Sequence, residues 1–526
     1  MPVAFAAVLV LGICIGNFYA KKTQYSKSST SAYSKIRNLL QLIDNEYVDA
    51  VNIDSIAEAV LPTILVTLDP HSVYIPQSEL QMVDEELSSS FSGIGVQFNI
   101  LNDTVLIVAV ISGGPSEKLG IQPGDRIVTV NDTSFVGKDI TNEKVLKKLR
   151  GPKNTTVKVG IKRTTAKDLL TYNIVRGDVP VNSIDASYVI EPRVGYIRVS
   201  KFGSGTYKEF LTSIASLKND GAHDFIVDLR GNSGGYLDAA IRMINEFLHK
   251  RQLIVYTEGK SYRRANSFAD GNGSCRNSKI IVLIDEWSAS ASEIFAGAIQ
   301  DNDRGLIIGR RSFGKGLVQQ QIAFNDGSAV RLTVARYYTP AGRCIQKPYK
   351  KSDADEYGMD ILNRYLHGEI DTQDSIQIKD TLEYKTSLGR TVYGGGGIMP
   401  DIFVPRDTSG ITNYYNKVAN AGYLFEFAFK YADENRERLK TMKSWEQLLA
   451  QLQQEDILWS FAEYAERKGV KRNPYSLQIS GKVIVNALHA HIVRNMLGNE
   501  AFYAVLNKTD KTIERALEEM RKMAKP

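Results

Sequence analysis

Cysteine is scarce in this sequence, which has three such residues among 526: Cys14, Cys275 and Cys344. Three cysteines are too few for a disulfide scaffold, and we interpret Cys275 and Cys344 as unpaired thiols rather than as a disulfide. The six histidines show no metal-ligand spacing, and His489 and His491 do not face each other on a helix because they lie two positions apart. We therefore predict no metal site.

Long runs of lysine or arginine are also missing, and the net charge is only +6. This weak charge gives no support for a nucleic-acid partner. With 43% apolar and 24% charged residues, the composition is that of a soluble globular protein. At roughly 100–200 residues per domain, the length predicts about three or four domains.

One uncharged run stands out, from Pro2 to Ala20. A helix of that length spans roughly 28 Å, about the hydrocarbon thickness of a bilayer. An A-x-A cleavage site is missing because Phe18 occupies the −3 place relative to Ala20. We therefore expect residues 1–22 to be an uncleaved membrane anchor rather than a cleaved signal peptide, with the rest of the chain outside the cytoplasm.

The hydrophobic pattern divides the remaining chain into four regions. They are a helical region at 35–86, a region of short strands at 87–178, alternating strands and helices at 179–410, and amphipathic helices at 411–526. The apolar run 280–284 is typical of a strand buried on both faces, and the alternation around it favours an α/β core. Residues 350–382 are polar with little periodicity and are interpreted as an insertion or loop.

The segment Ser288-Ala-Ser-Ala-Ser-Glu293 directly follows this strand. Small residues at a strand-to-helix turn leave a side chain exposed at the sheet end, and the free amides of the helix start suit an oxyanion. Ser290 is therefore a candidate nucleophile. Glu293 lies three positions later, so the pair also fits a capping box, and from this segment alone capping is the preferred interpretation.

A serine nucleophile needs a base, and the sequence places no histidine in a comparable setting. Lys315 lies in the glycine-framed turn Gly309-Arg-Arg-Ser-Phe-Gly-Lys-Gly316. Burial beside Phe313 would lower its pKa from the usual ~10.4, but from this segment alone an exposed surface lysine is the preferred interpretation. The turn approximates a phosphate-binding loop, but Gly316 stands where a Ser or Thr hydroxyl would hold magnesium, which argues against nucleotide binding.

Five segments together resemble the signature set of the C-terminal processing (tail-specific) peptidases, peptidase family S41. In chain order they are Asp228–Gly235, Ser288–Glu293, Phe313–Gly316, Tyr337–Gly342 and Gly397–Asp401. The resemblance covers about residues 35–405. It implies a multidomain α/β protein with a ClpP/crotonase-like protease core, an inserted PDZ domain, and helical N- and C-terminal regions.

The resemblance also implies roles for individual residues. Ser290 would be the nucleophile, Lys315 the general base, and Gln319 the residue that orients the lysine amine. The oxyanion would be bound by the amides of Ala291 and Gly235, with Gly234 as the alternative if the glycine pair aligns differently. Asp301, where some members have a supporting acid, is interpreted as structural. No metal or organic cofactor is implied.

The strand-rich region resembles a PDZ domain, through residues 91–98 and 114–125. Gly93, Ile94, Gly95 and Val96 match the carboxylate-binding loop of that domain. A substrate tail would add as a strand to an exposed sheet edge while backbone amides hold its carboxylate. The alternative is a PDZ-like fold whose groove no longer binds.

These observations predict a Ser-Lys serine endopeptidase that processes or degrades exported proteins from apolar C-terminal tails. The resemblance adds a homodimer formed through the N-terminal helices and a place in the cell envelope, anchored in the inner membrane with the catalytic part in the periplasm or otherwise outside the cytoplasm. One alternative is a catalytically silent PDZ scaffold or tail-binding chaperone. Another is a hydrolase of small molecules, which would not need a PDZ domain. The complete set of Ser290, Lys315 and Gln319 favours the peptidase.

Overall fold

A computed structural model describes residues 12, 32–101, 103–163, 166–350, 354–376 and 383–524. The predicted anchor at residues 2–20, Gly12 apart, lies outside these ranges. Within them, no helix is both long and apolar enough to cross a membrane.

The N-terminal region is helical and contains one short strand, which pairs with a strand of the protease region at residues 329–331. Its elements are α1 (Ala32–Glu46), α2 (Ile53–Val66), β1 (Val73–Ile75) and α3 (Gln77–Leu87). No residue of α2 is buried, and both α1 and α2 leave apolar side chains exposed. The region therefore presents apolar surface that no described residue covers.

The strand-rich region forms an antiparallel sheet with two helices. The elements are β2 (Ser90–Gly93), β3 (Val96–Leu101), β4 (Thr104–Val110), α4 (Pro115–Lys118), β5 (Arg126–Val130), β6 (Thr133–Ser134), α5 (Asn142–Leu149), β7 (Thr156–Lys162), β8 (Leu170–Val175) and β9 (Gly177–Pro180). The main sheet has the order β3-β4-β5-β7-β8, with β6 paired to β5, and β2 pairs with β9. Alternating Val and Ile side chains of these strands fill its core, as period-two patterning requires. Strand β3 lies at the sheet edge.

The protease core is built on a six-stranded sheet. Its elements are β10 (Ile184–Glu191), β11 (Val194–Val199), α6 (Thr206–Asn219), β12 (Asp224–Asp228), α7 (Leu237–Asn245), β13 (Leu253–Glu258), β14 (Ala265–Phe268), β15 (Ile280–Ile284), α8 (Ala291–Asp301) and β16 (Leu306–Gly309). The order is β10-β11-β12-β15-β16-β21, where β21 is Ile402–Phe403, and every pairing after β10-β11 is parallel. Strand β15 is completely buried because helices cover both faces of the sheet.

A second sheet carries a long hairpin beside this core. The hairpin is β17 (Leu317–Ala323) with β18 (Ala329–Tyr338), and β18 also pairs with β1 and β13. A helix, α9 (Ala354–Leu366), and the strand pair β19 (Glu383–Lys385) and β20 (Thr391–Tyr393) follow. The interpretation of 350–382 as a loop is thus wrong at α9. Its inner face carries Tyr357, Ile361 and Arg364, all three buried, and the charged Arg364 among them conceals the helical period.

The C-terminal region is a helical bundle with its own apolar core. Its helices are α10 (Asn413–Asn420), α11 (Tyr423–Glu434), α12 (Arg436–Leu439), α13 (Trp445–Leu452), α14 (Ile457–Arg467), α15 (Pro474–Leu497), α16 (Asn499–Leu506) and α17 (Lys511–Ala524). Helix α17 leaves the bundle and places Ile513, Ala516 and Met520 against Ile281 and Leu283 of the core sheet. Helix α17 therefore contributes to the core of the protease region.

Cys275 is buried and Cys344 is partly exposed, and no disulfide joins the two in the described part of the chain.

Candidate active site

Ser290 lies at the turn between β15 and α8, as the sequence predicts. Its backbone has φ 52° and ψ −114°, whereas an ordinary N-cap residue has extended backbone angles. A positive φ is uncommon for a residue with a β-carbon, and such strain is typical of functional turns. Glu293 accepts a hydrogen bond from the Ser290 N–H at 2.8 Å, so the capping interaction and an exposed position coexist at this turn.

Lys315 lies in the turn before β17, and Gln319 follows it on that strand. The Nζ of Lys315 donates to the Oε1 of Gln319 at 3.1 Å, and the Nε2 of Gln319 donates to the carbonyl of His71. Among the described residues, no hydrogen bond joins Lys315 Nζ to the Ser290 hydroxyl. The lysine amine is thus held by a glutamine that is itself anchored on the N-terminal region.

Burial lowers the pKa of Lys315 below its usual 10.5, and the positive charge of Arg331 lowers it further. The carboxylates of Glu293 and Asp69 act in the opposite direction without reversing the shift. A larger share of Lys315 is therefore neutral near pH 7 than for an exposed lysine, which is the form that can accept a proton.

Two groups hold the backbones of Ser290 and Lys315 side by side. The same oxygen of Glu293, Oε2, accepts from the N–H groups of Ser290 and Lys315, each at 2.8 Å. The hydroxyl of Tyr337 donates to the Lys315 carbonyl and lies 3.1 Å from the Ser290 carbonyl. Sequence reasoning missed both roles: it treated Glu293 only as a capping residue and gave Tyr337 no function.

Glu293 is fully buried, and its other oxygen, Oε1, accepts from Ser312 Oγ at 2.5 Å and from Gly314 N–H at 2.7 Å. Burial raises the pKa of this carboxyl, while its four donors act against that rise. Because every donor belongs to the nucleophile turn or to the lysine turn, Glu293 joins the two turns.

The proposed oxyanion amides lie next to the serine. Neither the Ala291 nor the Gly235 N–H donates to an acceptor within the described residues, whereas the Gly234 N–H donates to Asn232 Oδ1 at 2.9 Å. Gly234 has φ 105°, and a β-carbon on it would lie 2.7 Å from Ser290 Cβ. Only glycine therefore allows this turn to approach the serine so closely, and Gly235 keeps the free amide.

A cavity of about 1050 Å³ contains these groups. The residues predicted to be catalytic or to bind the oxyanion all line it: Ser290, Lys315, Gln319, Gly235 and Ala291. His71, which sequence reasoning missed, lines it as well. Burial, followed by the nearby Lys315 charge, lowers the pKa of His71 to about 4, and its Nε2 lies 2.9 Å from the Tyr357 hydroxyl. The sequence gives no sign of a role for His71, because it lies 248 positions from Gln319 and meets it only in the folded chain.

Asp301 does not line this cavity. It forms a fully buried ion pair with Arg343 at 2.7 Å, in keeping with a structural role.

The predicted carboxylate loop lies between β2 and β3, and none of its four residues lines the cavity at Ser290. Gly93 ends β2, Val96 begins β3, and Ile94 and Gly95 form the turn between them, with Gly95 at φ 80°. The Ile94 and Gly95 carbonyls accept from Ser116 and Ile111, but their N–H groups find no acceptor in the described part of the chain. The loop therefore has amides free to bind a ligand beside an open sheet edge.

Comparison with known proteins gives three family matches. The model of peptidase family S41 matches residues 193–355, a PDZ-domain model matches 106–163, and a family of unknown function matches 414–498. The chain is 32% identical over 394 residues to the carboxy-terminal processing protease CtpA of Bacillus subtilis, covering 73% of this chain and 83% of that protein. The chain belongs to peptidase family S41.

Two further similarities are to carboxy-terminal processing proteases. The B. subtilis protease CtpB is 34% identical over 327 residues, covering 62% of this chain and 68% of CtpB. A solved structure, the photosystem II D1 C-terminal processing protease, is 25% identical and covers 72% of this chain and 94% of that chain, with a TM-score of 0.36. Membership of this serine peptidase family confirms the resemblance seen in the sequence. The predicted fold class is also confirmed: an S41 core with a PDZ domain and a helical C-terminal region.

Proposed function

We propose that this S41 peptidase is an endopeptidase that cuts with Ser290 as nucleophile and Lys315 as general base, acting on proteins with apolar C-terminal tails. One observation carries the proposal: the same Glu293 oxygen binds the amides of both residues, at the edge of one cavity. A shared hydrogen-bond acceptor of this kind fixes the relative positions of two residues whose side chains must meet during catalysis. The lowered pKa of Lys315 suits the role of base.

In the proposed reaction, neutral Lys315 takes the proton of the Ser290 hydroxyl as the oxygen attacks the scissile carbonyl. The tetrahedral oxyanion receives hydrogen bonds from the Ala291 and Gly235 amides. Lys315 then gives the proton to the leaving amine, and water hydrolyses the acyl-enzyme by the same proton relay. Lys315 Nζ must turn from Gln319 toward Ser290, and catalytic hydrogen bonds are often long until substrate binds.

The experiment that tests this function incubates the full chain with a denatured protein and maps the product ends by mass spectrometry. New ends inside the substrate indicate an endopeptidase. A silent scaffold or chaperone would bind the denatured protein and leave it intact.

The free Ile94 and Gly95 amides and the open edge of β3 support recognition of a substrate tail. A tail that pairs with β3 would bring its terminal carboxylate to these amides, and a hydrogen bond to a charged group is worth about 1.5–3 kcal/mol.

We therefore expect a peptide with an apolar last residue and a free carboxylate to bind about tenfold or more tightly than its C-terminally amidated form. Fluorescence anisotropy with the Ser290→Ala chain measures this without cleavage. A peptide of the same length ending in aspartate is the control for the apolar residue. Equal affinity of the free and amidated peptides would contradict tail recognition.

We also propose that α1 and α2 form a homodimer contact. Ile36, Leu39, Val60 and Ile64 are each 42–57% exposed, at helical spacing on these two helices. Exposed apolar surface of this kind is typical of an interface. Sedimentation at micromolar concentration is expected to give a dimer for the wild-type chain and a monomer after Ile36→Asp with Leu39→Asp. A monomeric wild type would contradict the proposal.

The location is proposed from residues 2–20 alone. This uncharged run would anchor the chain in the inner membrane, with the catalytic part in the periplasm or otherwise outside the cytoplasm.

A further inference from the structure

A buried charge cluster lies at the start of the turn that ends in Gly235. Asp228, the last residue of β12, is fully buried and accepts from Tyr196 at 2.7 Å, Arg198 at 2.9 Å and Arg230 at 2.7 Å. Burial raises the pKa of Asp228, but the two arginines outweigh this and hold it well below its usual value. The carboxylate is therefore ionised between two cations.

One carboxylate between two arginines leaves an excess positive charge, and the C-terminal region supplies the missing negative charge. Asp510 Oδ2 accepts from Arg230 Nη1 at 2.7 Å. The Arg230 and Asp510 side chains are only 14% and 26% exposed. An ion pair at this depth is screened much less than a surface pair, and loss of one partner leaves a buried charge uncompensated.

Asp510 is itself rigidly held. Its other oxygen, Oδ1, accepts from the N–H groups of Thr512 at 2.8 Å and Ile513 at 3.1 Å, so it caps the start of α17. Tyr503 gives a second contact, with its ring 4.8 Å from the guanidinium of Arg198. The C-terminal region thus contacts both arginines of the cluster, Arg230 through Asp510 and Arg198 through Tyr503.

Arg230 lies five positions before Gly235, in the turn 229–235. Arg198 Nη2 donates to the Arg230 carbonyl at 3.0 Å. Further along the turn, the Asn232 carbonyl accepts from the N–H of Ala289, the residue before Ser290, at 3.0 Å. A short path of covalent and hydrogen bonds therefore connects Arg230 to both the Gly235 amide and Ser290.

We propose that Asp510 is a positioning residue for peptide cleavage, because it neutralises Arg230 and so holds the turn 229–235, with the Gly235 amide, where the oxyanion forms. This inference rests on the proposed function, since it presupposes Ser290 as nucleophile. It gives the C-terminal region, which lies outside the S41 match, a part in the rate of the reaction.

Asp510→Asn separates this role from helix capping. Asparagine caps a helix as well as aspartate does, so α17 is retained, but the negative charge toward Arg230 is lost. We expect kcat to fall about ten- to hundredfold with KM unchanged within about twofold, because small misplacements of catalytic groups have effects of this size. Asp510→Glu, which keeps the charge, is expected to recover most of kcat. Glu514→Gln, which breaks the exposed Lys511–Glu514 pair on the same helix, is the control.

The measurements use the full chain and a fluorogenic peptide, with kcat expressed per Ser290 labelled by a fluorophosphonate, so that unfolded molecules are not counted. A peptide boronate, whose adduct places an oxygen in the oxyanion site, is expected to inhibit Asp510→Asn more weakly by the same factor as the loss of kcat. A kcat of Asp510→Asn within twofold of wild type, or a loss that Asp510→Glu fails to recover, would overturn the inference. Failure of the wild type to label at Ser290 would instead overturn the proposed function.

Discussion

The Ser290→Ala chain is expected to lose cleavage of a denatured protein by about 10⁴-fold or more, the size of effect seen when a serine nucleophile is removed. Without the hydroxyl no acyl-enzyme can form, and the free amides of Ala291 and Gly235 alone leave only weak catalysis. Alanine tolerates the backbone of this turn about as serine does, and the hydrogen bond from residue 290 N–H to Glu293 is kept. The melting temperature is therefore expected to stay close to that of the wild type.

The control for this experiment is Ser216→Ala, because Ser216 is an exposed serine on α6. Cleavage is followed by gel and by mass spectrometry of the product ends. Substantial turnover by the Ser290→Ala chain, with the control fully active, would refute the nucleophile. Tight binding of the denatured protein by an intact but uncleaving wild type would favour the scaffold or chaperone.

Substitution of Lys315 is expected to be nearly as damaging. Lys315→Met keeps the unbranched side chain and removes the base, and Lys315→Arg keeps a cation that stays protonated at neutral pH. We expect both to lower kcat by several orders of magnitude. Burial lowers the pKa of Lys315 because the folded state disfavours its charged amine. We therefore expect the free energy of unfolding of Lys315→Met to be no lower than that of the wild type. Steady-state kinetics and urea unfolding measure the two effects.

The pH profile tests the base directly. Only the neutral amine accepts a proton, so kcat/KM is expected to rise with pH and to level off above the pKa of Lys315, below the usual 10.5. Removing the positive charge of Arg331 raises that pKa, so Arg331→Gln should move the rising limb to higher pH. A profile that is the same in both proteins would count against Lys315 as the titrating group.

Strong local patterns made much of this molecule predictable. The apolar run 280–284 is the buried strand β15, and the amphipathic region 411–526 contains the helices α10 to α17. The signature segments also led to five residues that line one cavity, although they lie up to 84 positions apart in the sequence. Each of these features has a local cause, either a period or a motif.

The features that escaped prediction have no local cause. Helix α9 hides its period because Arg364 is buried, where it donates to the carbonyls of Ser312 and Phe313. The contact of the His71 carbonyl with Gln319 depends on how β1 pairs with β18. The spacing of Ser290 and Glu293 matches a capping box, so it could not reveal that Glu293 also binds the lysine turn. These contacts arise only when distant segments fold together.

Helix α17 packs on strands β15 and β16, which belong to the sheet that carries Ser290. Domains generally fold in order as they are synthesised, and α17 begins 227 positions after β15 ends. The sheet therefore stays uncovered at Ile281 and Leu283 until the ribosome has translated α17. A premature stop codon shortly before codon 511 would leave these two side chains open to water.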